Sequence, residues 1–270
     1  MKLAINEATT MPRSFEEDMA AYASAGFDAV ELWLDKLKPF LEKHTLKDAR
    51  KLLADRGIKA IGACYQGGLM LTRDKQRQEV LAEFRTKLET CEALGVPVLV
   101  VPSDFPAGSV TRDDYDRAAD GLREAADIAG RHKVALAIEF IKGGKLVGSL
   151  RTALALARKT EKKNVGVLLD TFHLYAGASK VEHILEMKKS ELLLVHINDL
   201  APGYIEIATD KDRVLPGEGV LPLKEMLNTL SRIGYDGYCS VELFNEELWR
   251  QDTQEAARLV RHKASRFFGL

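Results

Sequence analysis

Val165-Gly166-Val167-Leu168-Leu169-Asp170 is a short apolar run that ends abruptly in a carboxylate. Its length and β-branched content suit a strand buried on both faces, as in a parallel sheet covered by helices. The pattern recurs. Val134-Ala135-Leu136-Ala137-Ile138 ends in Glu139, Leu192-Leu193-Leu194-Val195 ends in His196, and Tyr238-Cys239-Ser240-Val241 ends in Glu242. Earlier apolar runs at Lys2–Asn6, Ala29–Trp33, Ile58–Cys64 and Pro97–Val101 bring the number of strands expected to eight.

Between the strands lie longer amphipathic stretches. Helices are expected over Ser14–Ala25, Leu46–Arg56, Lys75–Leu94, Arg112–Arg131, Ser149–Thr160, Lys180–Lys189, Leu223–Ile233 and Thr253–Phe268. Ser14 with Glu17 three residues on reads as a capping box. Gly26, Gly57, Gly95 and Gly234 each sit just past a helix, where a left-handed cap is expected. Eight strand–helix units favour an α/β fold of one kind, a single (β/α)8 TIM barrel spanning residues 1–270. An open doubly wound sheet is the alternative, but no Gly-rich dinucleotide fingerprint follows the first strand.

The 270 residues are 46% hydrophobic and 29% charged, with a net charge of −1. That balance gives no basic surface for nucleic acid or anionic membrane. No apolar run approaches the ~20 residues that span a bilayer. The first residues read as a strand and not as a signal peptide. Cys64, Cys91 and Cys239 are odd in number and lie in apolar stretches, as reduced thiols of a cytoplasmic protein would.

In a barrel, strand ends converge at the C-terminal mouth, where active sites are built. Glu139, Asp170, His196 and Glu242 would meet there. One strand-end carboxylate can be a helix cap or a solvated rim residue. Three packed together repel, and need a positive charge among them. One divalent metal, Mn²⁺, Mg²⁺, Co²⁺ or Zn²⁺, suits three oxygen ligands and an imidazole. Neutralisation by Lys or Arg is the alternative.

Other groups fall on the same loops. His173 follows Asp170 by three residues and reads as a substrate contact, or else as an ordinary loop histidine. Asn198 and Asp199 follow His196 and are expected to support the ligands. Arg213 precedes the turn Pro216-Gly217-Glu218-Gly219 and is placed to bind a substrate oxygen or a barrel carboxylate. Glu7, Glu31, Tyr65 and Gln66, at the ends of the first three strands, are assigned to the pocket by position alone.

A metal that chelates vicinal oxygens of a hydroxyketone acidifies the α-proton. Two carboxylates on either side can then remove and return protons. Glu139 and Glu242 fit that role, and predict an isomerase or epimerase acting through a cis-enediolate on a small polyhydroxy ketone.

At these residues the chain resembles the xylose isomerase-like TIM-barrel superfamily. In that family a Glu-Asp-His-Glu set binds one metal and the two Glu serve as acid and base, which implies the same for Glu139, Asp170, His196 and Glu242. Within it, the chain is similar to the inosose isomerase branch of bacterial inositol catabolism. The matching segments are Asn6-Glu7-Ala8-Thr9-Thr10, Glu89-Thr90-Cys91, Leu169-Asp170 with Phe172-His173, Asp212-Arg213-Val214 with Pro216-Gly217, and Val241-Glu242-Leu243-Phe244. Trp33 and Ala63-Cys64-Tyr65-Gln66 depart from that branch, which leaves room for a different polyol-derived ketone. Homo-oligomers are common among relatives, although no interface is visible in the sequence.

Rivals remain. A metal-dependent dehydratase or a hydroxypyruvate isomerase would use a similar site. The dehydroshikimate dehydratases are expected to carry a His where this chain has Ile141. A zinc endonuclease would need many more His ligands than the six His of this chain supply. A non-catalytic ligand-binding barrel would not need all four ligands.

Overall fold

Each barrel strand is apolar on two faces because two different layers cover it. The structure, a computed structural model, describes residues 1–268. Eight parallel strands close into a barrel: β1 (Lys2–Asn6), β2 (Ala29–Trp33), β3 (Lys59–Cys64), β4 (Val98–Pro102), β5 (Ala135–Glu139), β6 (Val165–Asp170), β7 (Leu192–Ile197) and, after two short rim strands, β10 (Tyr238–Val241). The rim strands, β8 (Asp199–Leu200) and β9 (Arg213–Val214), pair antiparallel. Closure comes from β1 pairing with β10, Ile5 opposite Val241.

The helices are α1 (Phe15–Ala25), α2 (Leu34–Leu41), α3 (Leu46–Asp55), α4 (Asp74–Leu94), α5 (Arg112–Arg131), α6 (Leu150–Lys159), α7 (Thr171–Ala176), α8 (Leu223–Arg232), α9 (Glu246–Arg250) and α10 (Thr253–Ser265). The Ser14–Glu17 capping box forms at α1, and Gly26 closes that helix at φ 86°. Gly57, Gly95 and Gly234 also have positive φ, as expected of caps. Among the described residues no helix is long and apolar enough to cross a membrane.

Helix α9 and the rim strands are not expected from the sequence, and three further elements differ from its reading. Lys180–Lys189 is not an α-helix but two 3-10 segments, Val181–Glu186 and Lys189–Glu191. Side chains compete with the helical ladder there: His183 Nδ1 accepts the Lys180 N–H, and Glu191 accepts that of Lys188. So short a segment has little cooperative helicity to resist them. Helix α2, not expected from the sequence, contains Pro39 and buries Leu34, Leu37 and Phe40. Helix α7 is a single short element capped by Asp170 itself.

Alternate residues of a strand face opposite sides. Leu136, Ile138, Val167, Leu169, Val195 and Ile197 belong to the layer between strands and helices. Ala4, Ala29, Ala137, Leu168 and Leu194 form a separate cluster with Val98 and Val100, inside the barrel. Continuing that inward set by two residues reaches Asn6, Glu31, Glu139, Asp170 and His196. The polar layer at the mouth is therefore the last storey of the barrel interior, resting on Ala4, Ala29, Ala137, Leu168 and Leu194, with Ser240 two residues before Glu242.

Strand β6 contains one residue that tolerates no side chain. A Cβ on Gly166 would lie 2.7 Å from the Glu191 carbonyl oxygen and 2.8 Å from Leu193 Cγ. The β6–β7 register shifts beside it, between Val167 and Leu168. Gly166→Ala is expected to cost about 1–3 kcal/mol of stability through overpacking, measured as a lowered denaturant midpoint at unchanged slope.

Candidate metal centre and active site

The pairing registers carry the strand-end residues together. Asp170 lies opposite His196 in the β6–β7 ladder, and His196 opposite Ser240 in the β7–β10 ladder. One ligand atom from each of Glu139, Asp170, His196 and Glu242 lies within 4.8 Å of the others, and all four residues are buried. His196 Nδ1 is 3.0 Å from Glu242 Oε2, 3.5 Å from Glu139 Oε1 and 3.8 Å from Asp170 Oδ2. Yet Nδ1 is fully buried and makes no hydrogen bond. A buried imidazole nitrogen without a partner, turned toward three carboxylates, is an unsatisfied ligand position. The donor set of three carboxylates and one imidazole fits a divalent cation.

Each carboxylate is held differently. Asp170 Oδ1 accepts the His173 N–H at 2.8 Å, as N-cap of α7. Its Oδ2 accepts Asn198 Nδ2 and Arg213 Nη1, both at 2.9 Å. Glu242 accepts Asn6 Nδ2 at 3.2 Å on one oxygen and Arg213 Nη1 at 2.8 Å on the other. Glu139 has only its approach to His196.

Arg213 is the only guanidinium among the largest fully buried side chains. Besides Asp170 and Glu242 it binds Asp210 at 2.6 Å, and the Phe172 and Phe244 rings lie 5.1 and 5.5 Å from its Cζ. It thus supplies the positive charge that the sequence offered as an alternative to a metal, for two of the three carboxylates. Glu139 and the lone pair of His196 are left over.

These contacts set the proton affinities. Burial raises Asp170, but Arg213 above all outweighs it, so the carboxyl lies below its ordinary value. Burial likewise raises Glu242, and His196 with Arg213 more than offsets this. For Glu139 burial prevails over His196, and its pKa is raised. Burial disfavours a charged His196, but Glu242 and Glu31 prevail and push it well above the usual imidazole value.

The expected supporting residues fall into two groups. Asn198 touches Asp170 directly. Asp199 touches no ligand; its carboxylate accepts the N–H groups of Leu200, Gly217 and Leu221 and so pins the loop that carries Arg213. That loop packs so closely that a Cβ on Gly219 would lie 2.4 Å from Asp199 Oδ1. His173 reaches the pocket, and its Nδ1 accepts the Lys142 N–H at 3.2 Å.

The cavity above the cluster measures about 230 Å³ and is walled by Trp33, Tyr65, Phe105 and Phe244. A larger groove of about 550 Å³ shares Trp33 with it, but among the described residues no cluster of ligating side chains lines that groove. Of the residues assigned to the pocket by position, Tyr65 lines it. Glu7 does not: its Oε2 accepts the Trp33 N–H at 2.8 Å behind the wall. Gln66 turns to the Gly67 carbonyl instead. Glu31 lies beneath the cluster, with both oxygens 3.0 Å from His196 Nε2. Cys64, expected from the sequence to be a reduced thiol, donates to Glu31 at 3.2 Å.

A family model described as a xylose isomerase-like TIM barrel matches residues 19–263. The chain belongs to this family. The inosose isomerase of Bacillus subtilis (strain 168) is 30% identical over 265 residues, covering 97% of this chain and 95% of its own length. That of Bacillus velezensis (strain DSM 23117 / BGSC 10A6 / LMG 26770 / FZB42) is 29% identical over 265 residues with the same coverage. A solved structure described as the IOLI protein with a bound zinc atom matches at TM-score 0.94 and 29% identity, covering 99% of this chain and 98% of its own.

Removing the built-in cation should expose what it offsets. Arg213→Met is expected to lower the stability of chelator-treated protein by about 3–5 kcal/mol, because buried carboxylates lose their partner. Thermal unfolding of the variant against the wild type measures it; an unchanged midpoint would mean that the guanidinium neutralises nothing.

Proposed function

We propose that this chain is a divalent-metal-dependent isomerase of a polyhydroxy ketone, with an inosose as the favoured substrate. The observation that carries the reading is the unpartnered His196 Nδ1 facing Glu139, Asp170 and Glu242. These four residues would hold the ion. When bound, the metal supplies Lewis-acid polarisation of the substrate carbonyl.

The chain's own groups divide the remaining work. Asp170, tied by three donors, has no freedom to trade protons and serves as a ligand alone. Glu139 and Glu242 approach the same point from β5 and from the end of β10, so they can take a proton from one carbon and return it to the next. Glu139 is the less restrained of the two. His173 lines the pocket with Nδ1 accepting the Lys142 N–H and Nε2 3.3 Å from Arg213 Nη2, which places the ring beside a bound substrate. Arg213, which also lines the pocket, keeps a buried Nε donor without a partner.

The aromatic wall suits a cyclic substrate. A six-membered polyol presents its hydroxyls around the rim and its C–H groups on the ring faces. Trp33 packs edge-on against Tyr65 and Phe244, with ring centroids 5.5 and 6.0 Å apart, and offers an apolar surface to such a face. The similarity to inosose isomerases supports the same class of substrate.

Metal analysis and solvent-deuterium exchange test the reading together. Wild-type protein is expected to take up one divalent ion per chain, and Glu242→Gln to hold it more weakly. With metal, a panel of inososes and ketoses followed by NMR should show deuterium entering beside the carbonyl of at least one cyclic member. Glu139→Gln should slow that exchange about 10²–10⁴-fold, the usual contribution of a general acid–base group. No metal uptake would sink the site; metal without exchange would sink the substrate class and spare the site.

A further inference from the structure

The groups beneath the cluster form a connected circuit that the metal reading does not use. Asn6 Nδ2 donates to Glu242 Oε1 at 3.2 Å and lies 3.4 Å from Cys64 Sγ. The Cys64 thiol donates to Glu31 Oε1, and both Glu31 oxygens face His196 Nε2. His196 Nδ1 then returns to within 3.0 Å of Glu242 Oε2. Five side chains from β1, β2, β3, β7 and the residue after β10 thus close a ring inside the barrel, all of them buried.

We propose that Glu31, held in place by Cys64 and Asn6, is the positioning residue that presents His196 Nδ1 to the metal. The inference rests on the metal reading above. A carboxylate that accepts from Nε2 fixes the proton on that nitrogen, leaves Nδ1 as the lone-pair atom, and sets the ring plane. Glu31 can act only on Nε2, because both its oxygens lie on that side of the ring. Its own rotamer is not free: the Cys64 thiol occupies Oε1. Asn6 ties the same circuit to Glu242, so one set of contacts orients two of the four ligands. A hydrogen-bonded prop of this kind also explains a Glu and a Cys in the interior of otherwise apolar strands.

Zinc affinity by chelator competition and the imidazole N–H signals of zinc-loaded protein test this. Glu31→Leu removes the acceptor at similar size and is expected to weaken zinc binding about 10–100-fold. Glu31→Gln keeps an acceptor oxygen and should recover most of that loss. Cys64→Ala should weaken binding a few-fold, and Cys64→Ser, which can still donate, should not. The downfield Nε2–H proton resonance, assigned by its loss in His196→Asn, should persist in Glu31→Gln and vanish in Glu31→Leu. If Glu31→Leu binds zinc like the wild type and keeps that resonance, the inference falls while the metal site stands. If Glu31→Leu does not fold, Cys64→Ala decides: affinity and resonance both unchanged would overturn the prop. A wild type that takes up no zinc overturns the metal reading and the inference with it.

Discussion

Negative charge packed into the barrel mouth is the constraint to which the rest of the site answers. Glu31, Glu139, Asp170 and Glu242 lie around one imidazole, all buried. Desolvated carboxylates so close together cannot all stay ionised without compensation. Arg213 provides part of it, and provides it through a loop rather than a strand. Hence the attention this fold gives to holding that loop: Asp199 accepts three backbone N–H groups, β8 pairs with β9, and Phe172 and Phe244 flank the guanidinium. What Arg213 leaves unpaired, at Glu139 and at His196 Nδ1, is where a divalent ion has electrostatic reason to sit.

The compensation is uneven, and the unevenness separates residues of one chemical type. Asp170 is saturated with donors. Glu242 is held from both sides. Glu139, at the other edge, is raised by burial because little opposes it. Three carboxylates at equivalent strand ends thus acquire different mobilities and proton affinities from their neighbours alone, as catalytic carboxylates on other scaffolds do.

Much of this was legible in the sequence, for a physical reason. A strand that is apolar throughout and then ends in a charged residue has few places to put that charge, and a barrel supplies the same place for every strand. Glu139, Asp170, His196 and Glu242 could therefore be read without knowing any partner. Glu31 carries a related signal, a carboxylate inside Ala29-Val30-Glu31-Leu32-Trp33, but its meaning depends on which side of the closed sheet it meets. Asn6 and Glu242 are 236 residues apart and touch only because β1 closes on β10. The circuit through Cys64 is a product of closure, and closure is the one property that no local window of sequence contains. The failure at Lys180–Lys189 is of another kind: side chains that bond to nearby backbone decided between two helical forms whose sequence patterns overlap.

The pleat that sends Leu168 inward and Leu169 outward has a consequence for how such a chain can change. Deleting or inserting one residue within β5, β6 or β7 would turn that strand's terminal ligand away from the axis and into the helix layer. A two-residue deletion would restore the facing but drop the ligand a storey, to the level of Ala137, Leu168 or Leu194. The strands are therefore closed to length variation, and so is the loop whose Arg213 holds Asp170 and Glu242, while rim loops that carry no partner of a ligand can lengthen. Divergence among barrels of this design is channelled into the rim, so substrate preference can drift while the coordination chemistry beneath it stays fixed.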